Sequence, residues 1–220
     1  MFTAPRPFVK ICCIASIEEA QLAVAAGASA LGLVARMPSG PGPIGDELIR
    51  SIAAAVPPPI ATFLLTSETS VDAIVAHHRR THTNTIQLVD ALEEERYDAL
   101  REAIPAACIV QVIHVVNEAS VEEALRLSHK ADALLLDSGN PHAAVKELGG
   151  TGRVHNWKLS RAIVEGSAVP VYLAGGLNAG NVRQALDEVQ PYGLDLCSSV
   201  RTNGALDPQK LEAFFAAAWG

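Results

Sequence analysis

Two residues of this chain pair reactive side chains with positions suited to proton transfer. Asp137 follows Ala133-Leu-Leu-Leu136 directly, so it stands at the mouth of an apolar strand. Partial desolvation of a carboxyl there favours its protonated form, which a general acid needs. No helix starts at once after it, so a helix cap is the weaker reading. Cys12 falls near the end of another apolar run, Phe8 to Ile14. Strand alternation puts Lys10 and Cys12 on one face. An ammonium beside a thiol stabilises the thiolate, and a thiolate can act as a base. Taken alone, Cys12 reads equally well as a small buried apolar residue. The same alternation points Cys13 the other way, and it is expected to pack beneath helices. Adjacent cysteines lack the spacing of a metal site and no histidine cluster supports them, so no metal is expected.

A third constellation is rich in glycine. Gly149-Gly-Thr-Gly152, Ala174-Gly-Gly-Leu177 and Asp195-Leu-Cys-Ser-Ser199 each follow an apolar run. Glycine lets backbone amides approach phosphate oxygens, and serine hydroxyls add donors. Each pair of glycines could be a plain turn. Their succession after consecutive strands favours a phosphate cradle from Gly150, Thr151, Gly152, Gly175, Gly176, Ser198 and Ser199. Lys10, Gln87 and Asp195 also fall on or at the ends of strands and are expected to meet substrate. The histidines say less. His77, His78, His82 and His129 sit on helices or at their ends and read as solvated, while His114 and His155 are at most pocket lining.

Placing these groups together requires a repeating scaffold, and the chain supplies one. Short β-branched runs at Phe8–Ile14, Ala30–Val34, Ile60–Leu65, Thr85–Val89, Ile109–Val115, Ala133–Leu136, Pro170–Ala174 and Leu194–Leu196 read as strands. Each precedes a helical stretch: 18–26, 46–55, 71–80, 92–103, 121–129, 157–164, 179–189 and 208–218. Ser16 stands three residues before Glu19, a capping-box spacing, and Gly27 follows the first helix. Eight β-α units predict an α/β fold, a closed (β/α)8 TIM barrel, rather than a doubly wound open sheet. No linker divides the chain, so residues 1–220 are expected to form one barrel domain, with 1–7 a short N-terminal extension. Chemistry in this fold gathers at the C-terminal strand ends, where the polar residues above lie.

Composition agrees. Hydrophobic residues are 49% and charged residues 19% of the 220, enough for a large core and too apolar for disorder. Aromatics are only 5%, so Ala, Val, Leu and Ile must build that core. A net charge of −7 with no basic block argues against nucleic acid as a partner. No apolar run suits a membrane span, and no signal core opens the chain, so no membrane partner and a cytoplasmic location are expected.

The motifs resemble one family over nearly the whole chain. Val9-Lys-Ile-Cys12, Gly27-Ala-Ser-Ala-Leu-Gly32, Leu134-Leu-Leu-Asp137, Gly149-Gly-Thr-Gly152 with Trp157, Ala174-Gly-Gly-Leu177 with Asn181-Val182, and Asp195-Leu-Cys-Ser-Ser199-Val200 look like phosphoribosylanthranilate isomerase. The resemblance implies a cofactor-free Amadori rearrangement in tryptophan biosynthesis. N-(5-phosphoribosyl)anthranilate would open to the 1-deoxyribulose 5-phosphate isomer. By that resemblance Asp137 is the general acid at the ring oxygen and Cys12 the base at C2′. The partner is then a small phosphorylated sugar-amine, handled by a monomer or a homodimer. Several family positions are replaced. The glycine after the catalytic cysteine is Cys13. The Ser-x-Arg-Tyr loop after the second strand is Met37-Pro-Ser-Gly-Pro-Gly-Pro43, with Arg36 as the nearest candidate for its arginine. Gln-Leu-His-Gly is Gln87-Leu-Val-Asp90, Phe-Asp is His155-Asn156, and Ser-Gly-Val-Glu is Ser198-Ser-Val-Arg201. These changes fall where the amine half should bind. They leave two rivals, a divergent paralogue acting on another phosphorylated aminosugar and a non-catalytic phosphometabolite-binding barrel.

Overall fold

A computed structural model of the chain describes residues 6–38, 40–138 and 156–220. Strands β1 (Phe8–Ile11), β2 (Ala30–Val34), β3 (Ala61–Thr66), β4 (Thr85–Leu88), β5 (Cys108–His114), β6 (Ala133–Asp137), β7 (Val171–Leu173) and β8 (Gly193–Leu196) all run parallel. They pair in chain order, and β8 returns to β1 with Lys10 opposite Asp195, which closes the barrel. Helices α1 (Ile17–Ala26), α2 (Asp46–Ala55), α3 (Val71–Thr81), α4 (Glu94–Ala103), α5 (Glu118–Leu127), α6 (Trp157–Gly166), α7 (Val182–Val189) and α8 (Pro208–Trp219) follow the strands in turn. The chain thus folds as the TIM barrel its periodicity predicts.

Strand alternation divides the apolar residues into two cores. Val9, Ile11, Leu31, Leu33, Leu64 and Ile86 face outward and pack beneath the helices. Ala30, Phe63, Val110, Leu135, Tyr172 and their neighbours fill the barrel interior. Lys10 belongs to that interior, so its charge lies inside a largely apolar cylinder. The aromatic-poor composition suits this arrangement, because Ala, Val and Leu fill the interior layers around Phe63 and Tyr172.

Helix termini follow local chemistry. The Ser16 hydroxyl accepts the Glu19 amide at 3.2 Å, and Gly27 ends α1 at φ +114°. Helix α5 starts at Glu118, earlier than its apolar spacing indicates, because the Asn117 side chain accepts the Ala119 amide at 3.0 Å. Helix α7 starts later, at Val182. Asn178 and Asn181 instead use their side chains to fasten the preceding turn.

Three sequence expectations are corrected. His77 is buried rather than solvated. Its ring lies 3.1 Å from both the Thr66 hydroxyl and the Asp46 carboxylate, and Arg80 holds that carboxylate from the other side. His78 is half-buried, with Nε2 2.7 Å from the Thr83 carbonyl. His82 and His129 are exposed as expected. Beyond β8, a 3-10 turn at Ser198–Val200 and a hairpin, β9 (Arg201–Thr202) with β10 (Ala205–Leu206), precede α8. Finally, β1 ends at Ile11, so alternation stops before Cys13. Ile14 takes the buried outer position instead, and Cys13 turns toward the barrel mouth at φ +61°.

Candidate active site

The site is built from the β1–β8 seam upward. Lys10 Nζ donates to Asp195 Oδ1 at 2.8 Å and lies 5.3 Å from the centre of the Phe63 ring. Lys10 has no exposed surface. It therefore lies under the pocket floor instead of meeting a ligand. Its charge faces Asp195 on one side and Cys12 on the other. Burial alone would lower the Lys10 pKa, but the Asp195 carboxylate and the Cys12 sulfur hold it above the ordinary value. Burial keeps Asp195 above the usual carboxylate range against the pull of Lys10.

Gly32 on β2 makes room for this arrangement. A Cβ there would lie 2.7 Å from Cys12 Sγ and 3.1 Å from Lys10 Nζ. Thiol and ammonium thus flank the same point, as the alternation of Lys10 and Cys12 predicts. The Cys12 pKa is lowered. The neighbouring Cys13 thiol contributes most, burial opposes, and the Lys10 charge assists. Cys13 pays the reverse cost: its bonds to Cys12 and Cys197 and its burial hold its own pKa high. The Cys197 thiol donates to Cys13 Sγ at 2.7 Å.

Arg201 anchors the backbone that carries these thiols. Its Nη2 donates to the Cys13 carbonyl at 2.5 Å and the Cys12 carbonyl at 3.4 Å. The same guanidinium pairs with Glu19 at 2.9 and 3.0 Å. Glu19 also accepts the amides of Ala15 and Leu206. The β1–α1 loop is thereby tied to the hairpin after β8.

Across the mouth, Asp137 ends β6 and is almost fully buried. Its Oδ1 accepts the Ser138 amide at 2.7 Å. Cys12, Gln87, Asp137, Asp195, Gly175, Gly176, Ser198 and Ser199 all line one pocket at the C-terminal strand ends. It encloses about 960 Å3, the open space at its mouth included. Gly175 and Gly176 take φ of +83° and +65°, conformations that glycine reaches without a Cβ clash. Asn178 and Asn181 fix the turn by donating to the Gly176 carbonyl. Two buried polar atoms on the wall, Gln87 Oε1 and Ser199 Oγ, have no protein partner among the described residues.

Other expected groups fall elsewhere. Arg36 is exposed and off the pocket wall, which is formed there by Met37, Gly40 and Pro41. His114 is also off the wall, with Nε2 3.3 Å from the Val89 carbonyl. Gly150, Thr151, Gly152 and His155 lie outside the described residues. Sequence reasoning missed Cys197 and the Glu19–Arg201 clamp. The arginine in Ser198-Ser-Val-Arg201 was the available signal for the clamp. Among the described residues, no group of three or more His, Cys, Asp and Glu could hold a metal ion.

Comparison with known proteins finds the same fold elsewhere. The family model described as N-(5'-phosphoribosyl)anthranilate (PRA) isomerase matches residues 9–217. An N-(5'-phosphoribosyl)anthranilate isomerase of Haloferax volcanii is 35% identical, over 96% of this chain and 92% of the relative. The structure of the isomerase from Pyrococcus furiosus superposes with a TM-score of 0.80 at 27% identity, covering 96% of this chain and 98% of the other. A phosphoribosyl anthranilate isomerase in complex with reduced 1-(o-carboxyphenylamino)-1-deoxyribulose 5-phosphate gives 0.77 at 27% identity, with the same coverage.

Proposed function

This chain belongs to the N-(5'-phosphoribosyl)anthranilate isomerase family, and from that premise we propose that Cys12 and Asp137 rearrange N-(5-phosphoribosyl)anthranilate by acid–base catalysis. The family is an isomerase of tryptophan biosynthesis. The observation that carries the reading is one pocket that joins a low-pKa thiol, a carboxyl on the far strand and a glycine-serine rim.

Asp137 gives its proton to the furanose ring oxygen, and the C1′–O bond breaks to leave a protonated Schiff base. The Cys12 thiolate then takes the C2′ proton, and the electron pair shifts to form an enolamine. Tautomerisation yields the ketone. Substrate and product are isomers, so no redox partner or cofactor enters the balance. A base with its pKa pulled toward neutrality and an acid able to donate at that pH are the requirements of such a proton transfer.

The phosphate is assigned to Gly175, Gly176, Ser198 and Ser199. Among the described residues the pocket wall carries no Lys, Arg or His, so amides and hydroxyls are the donors there. Ser199 Oγ, buried and unpaired, is free to donate to a phosphate oxygen. Anchoring the unreactive end lets binding energy orient the reacting carbons. Lys10 and Asp195 serve from below, Lys10 by favouring the Cys12 thiolate, Asp195 by fixing Lys10 and facing the ribose. Gln87 Oε1 accepts a substrate hydroxyl or amine. The amine half faces the apolar wall of Val34, Met37, Pro41 and Leu65.

That wall favours a second reading, a different phosphorylated aminosugar, because Arg36 stands away from it. The deciding experiment follows loss of substrate fluorescence on freshly generated phosphoribosylanthranilate. Cys12→Ala and Asp137→Asn are each expected to cost at least ~10²-fold in kcat, the scale of a lost acid or base. Turnover within a few-fold of wild type in either variant overturns the assignment. A folded wild-type protein that binds phosphate without turnover moves the assignment to the second reading.

A further inference from the structure

The mechanism uses one of the three sulfurs at the barrel mouth and leaves two close together. Cys13 and Cys197 stand on loops after β1 and β8, the two strands that close the barrel. Their sulfurs are 2.7 Å apart, inside ordinary van der Waals contact. Cys13 holds a left-handed backbone, φ +61°, that a side chain rarely adopts. It is wedged there: a Cβ on Gly42 would lie 2.7 Å from Cys13 Cβ, and Arg201 pins the Cys13 carbonyl. Both cysteines line the pocket, and Cys197 is partly exposed to it. Cys108, at the start of β5, lies on the opposite end of the barrel.

We propose that Cys13 and Cys197 are a redox-modifiable dithiol whose oxidation to a disulfide, by a small disulfide such as oxidised glutathione, switches off the base Cys12. The chemistry balances as thiol–disulfide exchange. The Cys197 thiolate attacks one sulfur of the reagent and expels one glutathione thiolate. Cys13 loses its proton to solvent, attacks the Cys197 sulfur and expels the second glutathione. Two electrons pass from the pair to the reagent, which leaves as two thiols. Closing the bond takes the Cys13 S–H from the Pro41 carbonyl, 3.6 Å away, and it draws the loop that carries Cys12 toward the serine rim. The inhibitory half of the proposal rests on Cys12 being the base. Formation of the bond does not.

The test treats the full chain with oxidised glutathione, blocks free thiols and maps tryptic peptides without reduction. The expected product links the fragment Ile11–Arg36 to Gln184–Arg201. The link must persist in Cys12→Ala, which distinguishes Cys13 from its neighbour. It must also persist in Cys108→Ser. In the wild type, kcat/KM on phosphoribosylanthranilate should fall about 10- to 100-fold, the scale of displacing a catalytic group by up to about 1 Å, and dithiothreitol should restore it. The acid limb of the remaining pH profile should move to higher pH. Cys197→Ser should keep its own untreated rate after the same exposure. Cys13→Gly, which relieves the left-handed backbone, serves if Cys197→Ser fails to fold. Absence of the link in wild type, its loss in Cys12→Ala, a link without loss of turnover, or equal inactivation of Cys197→Ser each overturns the proposal. Peptide mapping needs no turnover, so failure of the dithiol and failure of the isomerase reading give different results.

Discussion

Gly32→Ala tests the geometry of the base through a residue that carries no chemistry. The new methyl would stand 2.7 Å from Cys12 Sγ, 3.0 Å from Cys12 Cα and 3.1 Å from Lys10 Nζ. Carbon and sulfur need more separation than that, so the thiol must move by about 1 Å, and a displacement of that size costs roughly 10²-fold in rate. The backbone itself accepts alanine here, because Gly32 sits within β2 and outside the left-handed region. Overpacking should cost about 1–3 kcal/mol of stability. In a domain of this length that lowers Tm by roughly 2–4 °C per kcal/mol. Steady-state kinetics should show the loss in kcat with KM little changed, since the phosphate rim is remote from β2. The double variant with Cys12→Ala separates the two effects. With the thiol gone, Gly32→Ala should add no further loss of rate while still lowering Tm. A Gly32→Ala enzyme with wild-type kcat would refute the placement of Cys12 as base. So would a second, additive loss of rate in the double variant.

Three further outcomes follow from the same geometry. Ser199→Ala should raise KM about 10- to 100-fold with Tm unchanged, as loss of one hydrogen bond to a charged phosphate predicts, and competition by inorganic phosphate should weaken in parallel. Gln87→Leu removes a buried acceptor that has no protein partner, so thermal melts should hold or rise while kcat/KM falls; a fall in Tm would mean the amide is structural. Glu19 is held below its ordinary 4.5: burial opposes, but Arg201 and the Leu206 and Ala15 amides outweigh it. A depressed carboxylate stabilises the fold above its unfolded pKa and loses that contribution as pH falls through the folded value. Urea melts should therefore show stability dropping below about pH 4.5, and Glu19→Gln should be less stable at neutral pH and flatter across that window.

Much of the site was legible because strand ends convert position into direction. Asp137, Gln87, Gly175, Gly176, Ser198 and Ser199 reach one pocket simply by ending or following apolar runs. Lys10 and Cys12 share a face because they stand two positions apart, with Cys12 directly after the last residue of β1. What escaped the sequence depended on where alternation stops. Nothing local announces that pairing ends at Ile11, so Cys13 was expected outside and is found at the mouth. The partner of Lys10 lies 185 positions away, and only barrel closure brings Asp195 beside it. His77 departs from the solvated position expected of it for a related reason. A polar residue on a helix is solvated by default, and only its partners on β3 and α2 make burial tolerable. Arg36 failed in the opposite way, since closeness in sequence to a replaced motif did not bring its side chain onto the wall.

The division of labour between strands keeps the proposed acid and the proposed base of one pocket apart. The groups that stabilise negative charge, Lys10 and the Cys13 thiol, gather at β1 and act on Cys12. Asp195 pairs with Lys10 from β8 at 2.8 Å, and its own charge opposes the lowering of the Cys12 pKa. Asp137 stands on β6, across the barrel, where its described side-chain bonds come from Ser138. The repulsion between Asp137 and Asp195 helps keep Asp195 above its ordinary value. A second carboxylate beside Lys10 would compete with Cys12 for the ammonium charge, as Asp195 already does. The separation of the two strands is therefore a chemical requirement, and the closed barrel meets it with a rigid interior packed largely with apolar side chains between them.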